Sequence, residues 1–414
     1  MSTTRRTFLK QMGTAGIVSI GATPPAFLTQ AAYAAEKQSE AAADGKVLVL
    51  VQLAGGNDGL NTVIPFGDPE YAKARPGIGI PKQAVLKIDD HLGLHPQMTG
   101  FKSLYDEGLL SIIQGVGYSN PNRSHFRSTD IWHSARPDTE YTEDGWLGRA
   151  LDLTVEQHAG KVPALALGTD RLPLALVCNK LNVPTVKNLA KFQLQLGSGS
   201  ESDRKLRERL IHDLADQPAP TGSELDFLRK TTLTAVSTAK RLKEVTAAYK
   251  PAMEYPTSGL ANKLKTVAQL IASDLGTRIF FVSLGGFDTH AQQAGAHQSL
   301  LAELSAAVRA FFSDLKGHRL HDRVLLATYS EFGRRVKENG SLGTDHGAAS
   351  QMFVVTPSGK SGLHGKHPSL TDLSQGDLKF QTDFRSVYAT ILSRWLELPS
   401  TPTLGREFPT LDFI

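Results

Sequence analysis

The sequence predicts an α/β fold in which helices cover both faces of a mostly parallel central sheet. The chain has 414 residues, of which 40% are hydrophobic and 21% charged, a composition typical of globular proteins. Nearly continuous apolar runs alternate with segments of helical periodicity, and such runs are typical of strands buried on both faces. Several of these runs end in glycine-containing turns, which supports their interpretation as strands.

The elements are predicted in order along the chain. A strand at 46–53 is followed by a helix at 96–107 and a second strand at 109–113. Later apolar runs predict strands at 163–167, 173–177, 278–284, 324–329 and 352–356. Charged amphipathic segments within about 136–260 predict a helical insertion. We therefore expect residues 46–414 to form one α/β domain that carries this insertion.

The N-terminal segment predicts an export signal. Arg5 and Arg6 precede Phe-Leu-Lys, a mild apolar stretch follows, and residues 32–34 read Ala-Tyr-Ala, a small-x-small cleavage pattern. The paired arginines resemble the twin-arginine (Tat) signal, so the Tat translocase is an expected partner during export. We expect residues 1–34 to be removed and residues 35–45 to form a polar linker. The mature protein is then periplasmic or extracellular, without a transmembrane anchor.

Charge and cysteine content exclude several classes of protein. The formal net charge is +4, and Arg5, Arg6 and Lys10 supply +3 of it, so the mature chain is nearly neutral. We therefore expect no nucleic-acid partner, because such partners require a basic face. The single cysteine, Cys178, excludes a disulfide framework or a thiolate metal cluster within one chain. Its apolar neighbours predict a buried, inert thiol.

Polar residues follow the first two predicted strands, at the edge where ligands bind in parallel sheets. Asp58 could bind a hard cation, although an Asn-Asp-Gly turn alone would also explain it. Ser124 stands near a predicted helix start, where the dipole favours an alkoxide or an anion, although it could be only an N-cap. Arg123 and Arg127 could add contacts to an anion.

Two later strands are also followed by acids and histidines. Asp288 and His290 could bind one metal together, or could form a polar loop with an Asx-turn. His297, seven residues further on, is expected on a helix surface. Glu331 follows the strand at 324–329 and adds another carboxylate at the same edge.

The segment before the last strand carries the most specific local signal. Asp345 and His346 lie between small residues there, and His364 is a weaker candidate for the site. Because acid, histidine and serine clusters recur after successive strands, together they predict a site for one or two metal ions. Mixed carboxylate and imidazole ligands suit zinc, manganese or iron, whereas carboxylates alone would suit calcium or magnesium.

Five motifs carry a resemblance to a known family. They are Gly55-Gly56-Asn57-Asp58-Gly59, Asn122-Arg123-Ser124-His125-Phe126, Phe287-Asp288-Thr289-His290, Ser330-Glu331-Phe332-Gly333-Arg334 and Gly343-Thr344-Asp345-His346-Gly347. With the twin-arginine signal, they resemble the exported bacterial proteins of the domain of unknown function 1501 family, within the alkaline-phosphatase-like superfamily. The resemblance covers about 46–398 and implies a three-layer α/β sandwich with two metal positions and a serine or threonine nucleophile.

The resemblance implies roles for individual residues. Asp58 would be the metal ligand after the first strand, Ser124 the nucleophile that bridges to the metal, and Asp288 and His290 ligands of the other metal. The chain would then be a metal-dependent hydrolase of phosphate or sulfate esters, either small molecules or glycans, with Arg123 or Arg127 stabilising the developing charge. The absence of Cys-x-Pro-x-Arg around Ser124 argues against a formylglycine-type sulfatase.

The last ligand pair admits two registers. Either Asp345 and His346 form the late Asp-His pair with His364 as the last histidine, or Glu331 is the acid and His346 the last histidine. In the second register Phe332 replaces a ligand, and Glu331 could instead serve as a general base. The alternative function is a non-catalytic periplasmic or cell-surface binding protein on a degenerate form of the fold. The clusters could also be no more than hydrogen-bonded loops.

Overall fold

Helices and strands alternate along the chain in the computed structural model, which describes residues 45–158, 162–181, 183–186, 202, 249–273 and 276–414. The strands are β1 (Val47–Ala54), β2 (Val63–Ile64), β3 (Leu86–Lys87), β4 (Gly93–Leu94), β5 (Leu110–Gly117), β6 (Ala164–Leu167), β7 (Thr185–Val186), β8 (Ile279–Gly285), β9 (Val324–Tyr329), β10 (Ser350–Val355), β11 (Gly362–His364), β12 (Leu373–Ser374), β13 (Asp377–Leu378) and β14 (Thr382–Asp383). The helices are α1 (Pro69–Ala74), α2 (Thr99–Asp106), α3 (His125–Ser134), α4 (Trp146–Leu153), α5 (Gly259–Ala272), α6 (Gln293–Gly317), α7 (Phe384–Thr390) and α8 (Ser400–Leu404). A π-helical turn, Ile391–Leu396, continues α7.

Within the described residues the central sheet has nine strands in the order β11-β5-β10-β9-β1-β8-β6-β7, with β14 beside β5. Strand β1 pairs in parallel with both β8 and β9, and β6 pairs in parallel with β8. Only β10 runs against its neighbours β5 and β9 within this sheet. The predicted α/β fold with a mostly parallel sheet is therefore confirmed.

Two separate cores lie on the two faces of the sheet. Because successive strand residues point to opposite faces, Val47, Val49 and Val51 of β1 face one core and Leu48 and Leu50 face the other. Helices α2, α5 and α6 cover the first core, and α3, α4 and α7 cover the second. The result is a sandwich of three layers, helix, sheet and helix.

Two local predictions are wrong. The apolar segment 173–177 is not a strand, because Leu174–Leu176 forms a 3-10 turn that begins after Pro173. An apolar run this short has no periodicity that distinguishes a strand from a helical turn. His297 is not on a helix surface: it is 2% exposed and faces inward from α6, where its Nε2 lies 3.0 Å from Asn57 Oδ1.

Several predictions concern segments that the structure does not describe. The signal peptide and nearly all of the linker lie in residues 1–44, outside the described residues. Of the predicted insertion, β6 and β7 belong to the central sheet, whereas 187–201 and 203–248 lie outside the described residues. Among the described residues, no helix combines the length and apolar character needed to cross a bilayer.

The topology brings the candidate residues to one edge. Strands β1, β8 and β9 run in parallel, and β5 shares their direction because β10 is antiparallel to both β5 and β9. Their carboxyl ends therefore meet, which is where ligands bind in such sheets. The loops that follow β1, β5, β8 and β9 all contribute to the cluster described next.

Candidate metal centre

Three histidines and one aspartate converge at this edge of the sheet. His290 Nε2 lies 2.9 Å from His346 Nε2, and these two nitrogens are 3.1 and 3.2 Å from Asp288 Oδ1. His125, the first residue of α3, approaches from the other side, with its Nε2 3.3 Å from Asp288 Oδ2. His125, Asp288 and His346 each offer a ligand atom within 4.8 Å of the others. We call His125, Asp288, His290 and His346 the His/Asp cluster.

Each histidine of the cluster is oriented through its other ring nitrogen. Nδ1 of His125 lies 2.8 Å from Glu331 Oε1, and Nδ1 of His346 lies 2.8 Å from the Arg123 carbonyl. Nδ1 of His290 lies 3.4 Å from Asp345 Oδ1. Carboxylate and carbonyl oxygens accept hydrogen bonds, so each Nδ1 is the donor, and in the neutral form of each ring Nε2 keeps a lone pair. Three imidazole lone pairs are thus gathered around one carboxylate.

The Asp288 carboxylate is held in place by Arg334. The buried guanidinium donates to Asp288 Oδ1 at 2.7 Å and to the carbonyls of Gly56 and Thr344, each at 2.7 Å. Burial favours the neutral acid, but the hydrogen bond and the positive charge of Arg334 outweigh it and lower the pKa of Asp288 to about 2. Asp288 is therefore anionic at neutral pH.

Gly55 allows the loop after β1 to approach the loop after β8 closely. Gly55 has φ +119°, and a Cβ at this position would lie 2.4 Å from the Asp288 backbone nitrogen. The Gly55 N–H also donates to Glu331 Oε1 at 2.8 Å, the same oxygen that orients His125. The loop after β1 thus fixes both the aspartate and one histidine of the His/Asp cluster.

The geometry of the His/Asp cluster fits a transition-metal ion. Ligand atoms about 2.0–2.1 Å from a tetrahedral ion lie about 3.3–3.4 Å apart. The three contacts among His290 Nε2, His346 Nε2 and Asp288 Oδ1, at 2.9–3.2 Å, come close to this value, and His125 Nε2 lies 3.3 Å from the other oxygen, Asp288 Oδ2. His125 Nε2 is buried without a hydrogen-bond partner among the described residues. The two imidazole nitrogens 2.9 Å apart need either a proton or a metal ion between them, because two facing lone pairs repel. Burial also lowers the pKa of His346, which favours the neutral, metal-binding form.

Ser124 lies in the chain between two residues that contact the His/Asp cluster. It is exposed and is the N-cap residue of α3, as predicted, but among the described residues its hydroxyl makes no capping hydrogen bond. Its chain neighbours both contact the cluster, Arg123 through its carbonyl and His125 through its ring. The Ser124 hydroxyl is thus not occupied in capping the helix, and its role as the nucleophile stays a prediction.

The two candidate arginines are paired with acids. Arg123 donates to Asp377 Oδ2 through Nε at 2.9 Å and also through Nη2. Arg127 donates through Nε to Asp138 Oδ1 at 2.7 Å, and its guanidinium lies 3.7 Å from the centre of the Tyr141 ring. Both guanidinium groups are thus partly neutralised before any ligand arrives.

Asp58 lies in a buried polar network. Its Oδ2 accepts from Arg75 Nη1 and Gln293 Nε2, both at 2.5 Å, and its Oδ1 accepts from the Asn61 N–H at 3.4 Å. Burial opposes ionisation, but the charge and hydrogen bond of Arg75 lower the pKa of Asp58 below its usual value. The ligand role predicted for Asp58 stays a prediction, and the ion pair gives this carboxylate a structural role as well.

The three remaining candidates lie at different distances from the converging nitrogens. The Glu331 side chain is 3% exposed and Asp345 is 54% exposed, and each orients a histidine of the cluster. His364 lies on the edge strand β11, where Nε2 is 2.6 Å from the Lys360 carbonyl. His364 thus lies apart from the contacts of the His/Asp cluster, and the choice between Glu331 and Asp345 as the acid of the last ligand pair stays a prediction.

The model of the family described as "Protein of unknown function (DUF1501)" matches residues 45–394, most of the chain. The chain belongs to the DUF1501 family. No curated protein matches it.

Solved structures similar to this DUF1501 protein include members of the alkaline phosphatase superfamily. A Vibrio parahaemolyticus protein of that superfamily is 9% identical, with a TM-score of 0.38 over 87% of this chain and 69% of that one. The C-terminal periplasmic domain of Escherichia coli EcEptC is 11% identical, with a TM-score of 0.39 over 87% and 85%. The PsFucS1 sulfatase from Pseudoalteromonas sp. is 14% identical, with a TM-score of 0.37 over 92% and 74%. These values are low, so the chemistry of the DUF1501 chain is inferred from its own residues.

Sequence reasoning gave no role to two residues of this DUF1501 site. His125 belongs to the motif around Ser124, but within this motif only Arg123 and Ser124 were assigned a function. The available signal was the position of His125 in the first turn of a helix that follows a predicted strand. That turn lies at the carboxyl edge of the sheet, where ligands bind. Arg334 follows Glu331 by three residues, and nothing in the sequence distinguishes its buried guanidinium from an exposed one.

Proposed function

We propose that this protein is an exported, metal-dependent hydrolase of phosphate or sulfate esters. The observation that carries the proposal is the orientation of the three histidines, each held at Nδ1 by an acceptor while its Nε2 faces Asp288. Metal-binding histidines almost always show this arrangement, because the second hydrogen bond fixes the tautomer and the ring. Three imidazoles and one carboxylate suit zinc, manganese or iron better than calcium or magnesium.

In this proposal His125, Asp288, His290 and His346 hold the metal. A bound ion would supply Lewis acidity towards the ester and the Ser124 hydroxyl. The Ser124 hydroxyl attacks phosphorus or sulfur in line, and the bond to the ester oxygen breaks as the new bond to Oγ forms. The alcohol leaves with the proton that Ser124 gives up, and water then hydrolyses the serine ester, which regenerates Ser124 and releases phosphate or sulfate.

One metal position accounts for the converging side chains. Glu331 and Asp345 orient histidines in this proposal, and Arg334 positions Asp288. A second ion would require the Asp58 carboxylate, whose oxygens already accept from Arg75 and Gln293. We therefore expect one tightly bound ion per chain.

Elemental analysis combined with ester hydrolysis tests the proposal. We expect about one zinc, manganese or iron ion per chain, and turnover of 4-nitrophenyl phosphate, its bis-ester or 4-nitrophenyl sulfate. His346→Gln should lose both metal and turnover, whereas Ser124→Ala should keep the metal and lose turnover. His364→Gln is the matched control and should lose neither. A wild-type protein that binds no divalent metal after reconstitution would overturn the proposal.

A non-catalytic metal-binding protein is the second candidate. The observation that favours it is the pairing of Arg123 with Asp377 and of Arg127 with Asp138, which leaves neither guanidinium free for a developing charge. Under this function the purified chain holds its metal but hydrolyses none of the three esters. If wild type and Ser124→Ala contain the same amount of metal and neither hydrolyses an ester, the protein is a non-catalytic metal-binding protein and not a hydrolase.

Export through the twin-arginine route is part of the first proposal. The proposal relies on Arg5 and Arg6 and on the Ala-Tyr-Ala pattern at 32–34, which lie outside the described residues. Replacing both arginines by lysine should leave the full-length precursor in the cytoplasm of the host, detected by fractionation and immunoblotting. Normal export of that variant would contradict the Tat route.

A further inference from the structure

A tight turn shortly before His346 packs against the loop that supplies His290. It comprises residues 339–343, within the segment between β9 and β10, and we call it the 339–343 turn. Two backbone N–H groups at the N-terminus of α6 donate to carbonyls of this turn, each at 2.9 Å. A Cβ on Gly343 would overlap the His290 backbone, so the two segments are in direct contact. The turn therefore determines how the loop of His290 lies against the loop of His346.

Asn339 uses its whole side-chain amide in and across this turn. Its Oδ1 accepts from the backbone N–H groups of Ser341 and Gly343 at 3.0 and 3.1 Å. Its Nδ2 donates to the His290 carbonyl at 2.9 Å and to Asp345 Oδ1 at 3.1 Å. These partners determine which end of the amide is oxygen, because two are N–H donors and two are oxygen acceptors. The acceptor contacts shape the turn, and the donor contacts connect it to the His/Asp cluster.

The contact between His290 and Asp345 is a weak one without further support. His290 Nδ1 and Asp345 Oδ1 are 3.4 Å apart, whereas ordinary N–H···O hydrogen bonds span about 2.7–3.2 Å. The Asp345 side chain is also 54% exposed, and fixing such a side chain costs rotamer freedom that one long contact does not recover. Asn339 Nδ2 donates to the same Oδ1. The oxygen that faces His290 is therefore held by a second, shorter hydrogen bond.

The other two histidines of the cluster have stronger contacts at Nδ1. Each Nδ1 lies 2.8 Å from its acceptor, which is a buried carboxylate for His125 and a backbone carbonyl for His346. His290 has the longest of the three contacts and the most exposed partner. Asn339 holds the backbone of His290 as well as the carboxylate at its Nδ1. These two hydrogen bonds compensate for the weaker contact at the ring.

We propose that Asn339 is a positioning residue of the metal site, whose amide holds Asp345 and the His290 backbone so that His290 Nε2 faces Asp288. This assignment rests on the proposed function, since it takes the His/Asp cluster as a metal site. Asn339 acts through His290 and does not itself bind the ion. Partners of this kind orient a metal-binding histidine, and their loss weakens metal binding without removing a ligand.

Metal binding to the full chain tests the assignment with Asn339→Ser. The serine hydroxyl can still accept from an N–H of the turn, but it cannot donate across to Asp345 and His290. We expect zinc affinity to fall roughly tenfold, measured by competition with a chelating dye, and the visible absorption of the cobalt-loaded protein to change with the ligand geometry. The matched control is Asn179→Ser, which removes another amide–aspartate hydrogen bond, to Asp144, and should change neither measurement.

A double-mutant cycle with Asp345→Ala separates positioning from a merely structural role. Asp345 is exposed, so its removal should leave the fold intact. Because Asn339 acts partly through Asp345, Asn339→Ser should weaken zinc binding by only roughly threefold in the Asp345→Ala background. A merely structural role would instead lower the Tm of the metal-free protein equally in both backgrounds. Zinc affinity and a cobalt spectrum equal to those of wild type in Asn339→Ser, or the same loss of affinity in both backgrounds, would overturn the assignment.

A second variant keeps the test decisive if Asn339→Ser does not fold. Asn339→Asp preserves the shape and both acceptor contacts of the turn, but its carboxylate would repel Asp345 across the 3.1 Å contact. The cobalt spectrum should therefore still change, and an unchanged spectrum would overturn the assignment. Hydrolysis of 4-nitrophenyl phosphate is measured on the same zinc-loaded samples. If wild type binds zinc without turnover and Asn339→Ser binds it more weakly, the hydrolase is refuted and the role of Asn339 stands. Turnover with equal zinc affinity in both proteins gives the opposite result.

Discussion

Replacing Asp58 by asparagine separates the structural role of this carboxylate from a ligand role. The side chains of Asp58 and Arg75 are 1% and 0% exposed, and Asp58 Oδ2 lies 2.5 Å from Arg75 Nη1. The amide keeps the shape of the side chain but leaves the buried guanidinium without its counter-charge. Removing one partner of such a pair costs about 3–5 kcal/mol of the free energy of unfolding. The loss should occur whether or not metal is bound.

The expected change in melting temperature follows from the size of the domain. An unfolding entropy of about 2.1 cal/mol/K per residue over roughly 370 residues gives about 0.8 kcal/mol/K. A loss of 3–5 kcal/mol then lowers Tm by about 4–6 °C. Thermal unfolding of chelator-treated protein measures this shift, with the surface variant Asp412→Asn as the control that should leave Tm unchanged.

Metal content completes the test of Asp58. We expect Asp58→Asn to keep its ion, because the four side chains of the His/Asp cluster remain. Adding Arg75→Met should recover much of the lost stability, since removing both charges avoids leaving one buried and unpaired. Loss of the metal at an unchanged Tm would refute the structural role and support the ligand role that the sequence predicts.

Three further predictions concern the His/Asp cluster and a buried histidine. Glu331→Gln should weaken metal affinity roughly 10–100-fold, measured by competition with a chelating dye, because His125 loses its anionic partner; an affinity equal to wild type would contradict this. Removing the metal with a chelator should lower Tm, and adding zinc again should restore it, because an ion that binds only the folded protein stabilises it. A Tm that does not change when zinc is added would exclude a zinc site in the folded protein. Burial lowers the pKa of His133 from 6.5 to about 4, so the unfolded chain binds the proton more readily between these values. The contribution of His133 to the free energy of unfolding is therefore complete above pH 6.5 and falls by up to about 3 kcal/mol towards pH 4. In His133→Gln, whose amide can still form a hydrogen bond with Tyr329, the free energy of unfolding should fall less steeply between pH 6.5 and pH 4. The same pH dependence in wild type and variant would refute this.

The fold could be predicted because the central strands are buried on both faces. The runs around β1, β8 and β9 are almost entirely apolar, which only a covered, mostly parallel sheet explains. The short segment 173–177 was mispredicted because five apolar residues fit a strand and a helical turn equally well. The strand order of the central sheet and the antiparallel direction of β10 within it are tertiary features that no local pattern encodes.

From the sequence, only those site residues that closely follow or precede a predicted strand could be predicted. Asp288, His290 and His346 follow from the rule that parallel strands deliver their loops to one edge. Contacts between residues distant in sequence could not be predicted. Arg334 donates a hydrogen bond to Asp288, 46 positions before it, and Glu331 orients His125, 206 positions before it. His297 was misplaced because a polar residue on a helix ordinarily faces solvent, whereas here it meets Asn57 in the interior.

The contrast between the two strand-end aspartates explains why one metal position is proposed rather than two. An ionised carboxylate offers about four lone-pair sites. At Asp58, which is 1% exposed, three of these sites accept hydrogen bonds from Arg75, Gln293 and Asn61. At Asp288 the one strong donor is Arg334, and the other close groups are the histidine nitrogens that carry lone pairs. A cation therefore gains ligands at Asp288, whereas at Asp58 it would have to displace a buried guanidinium.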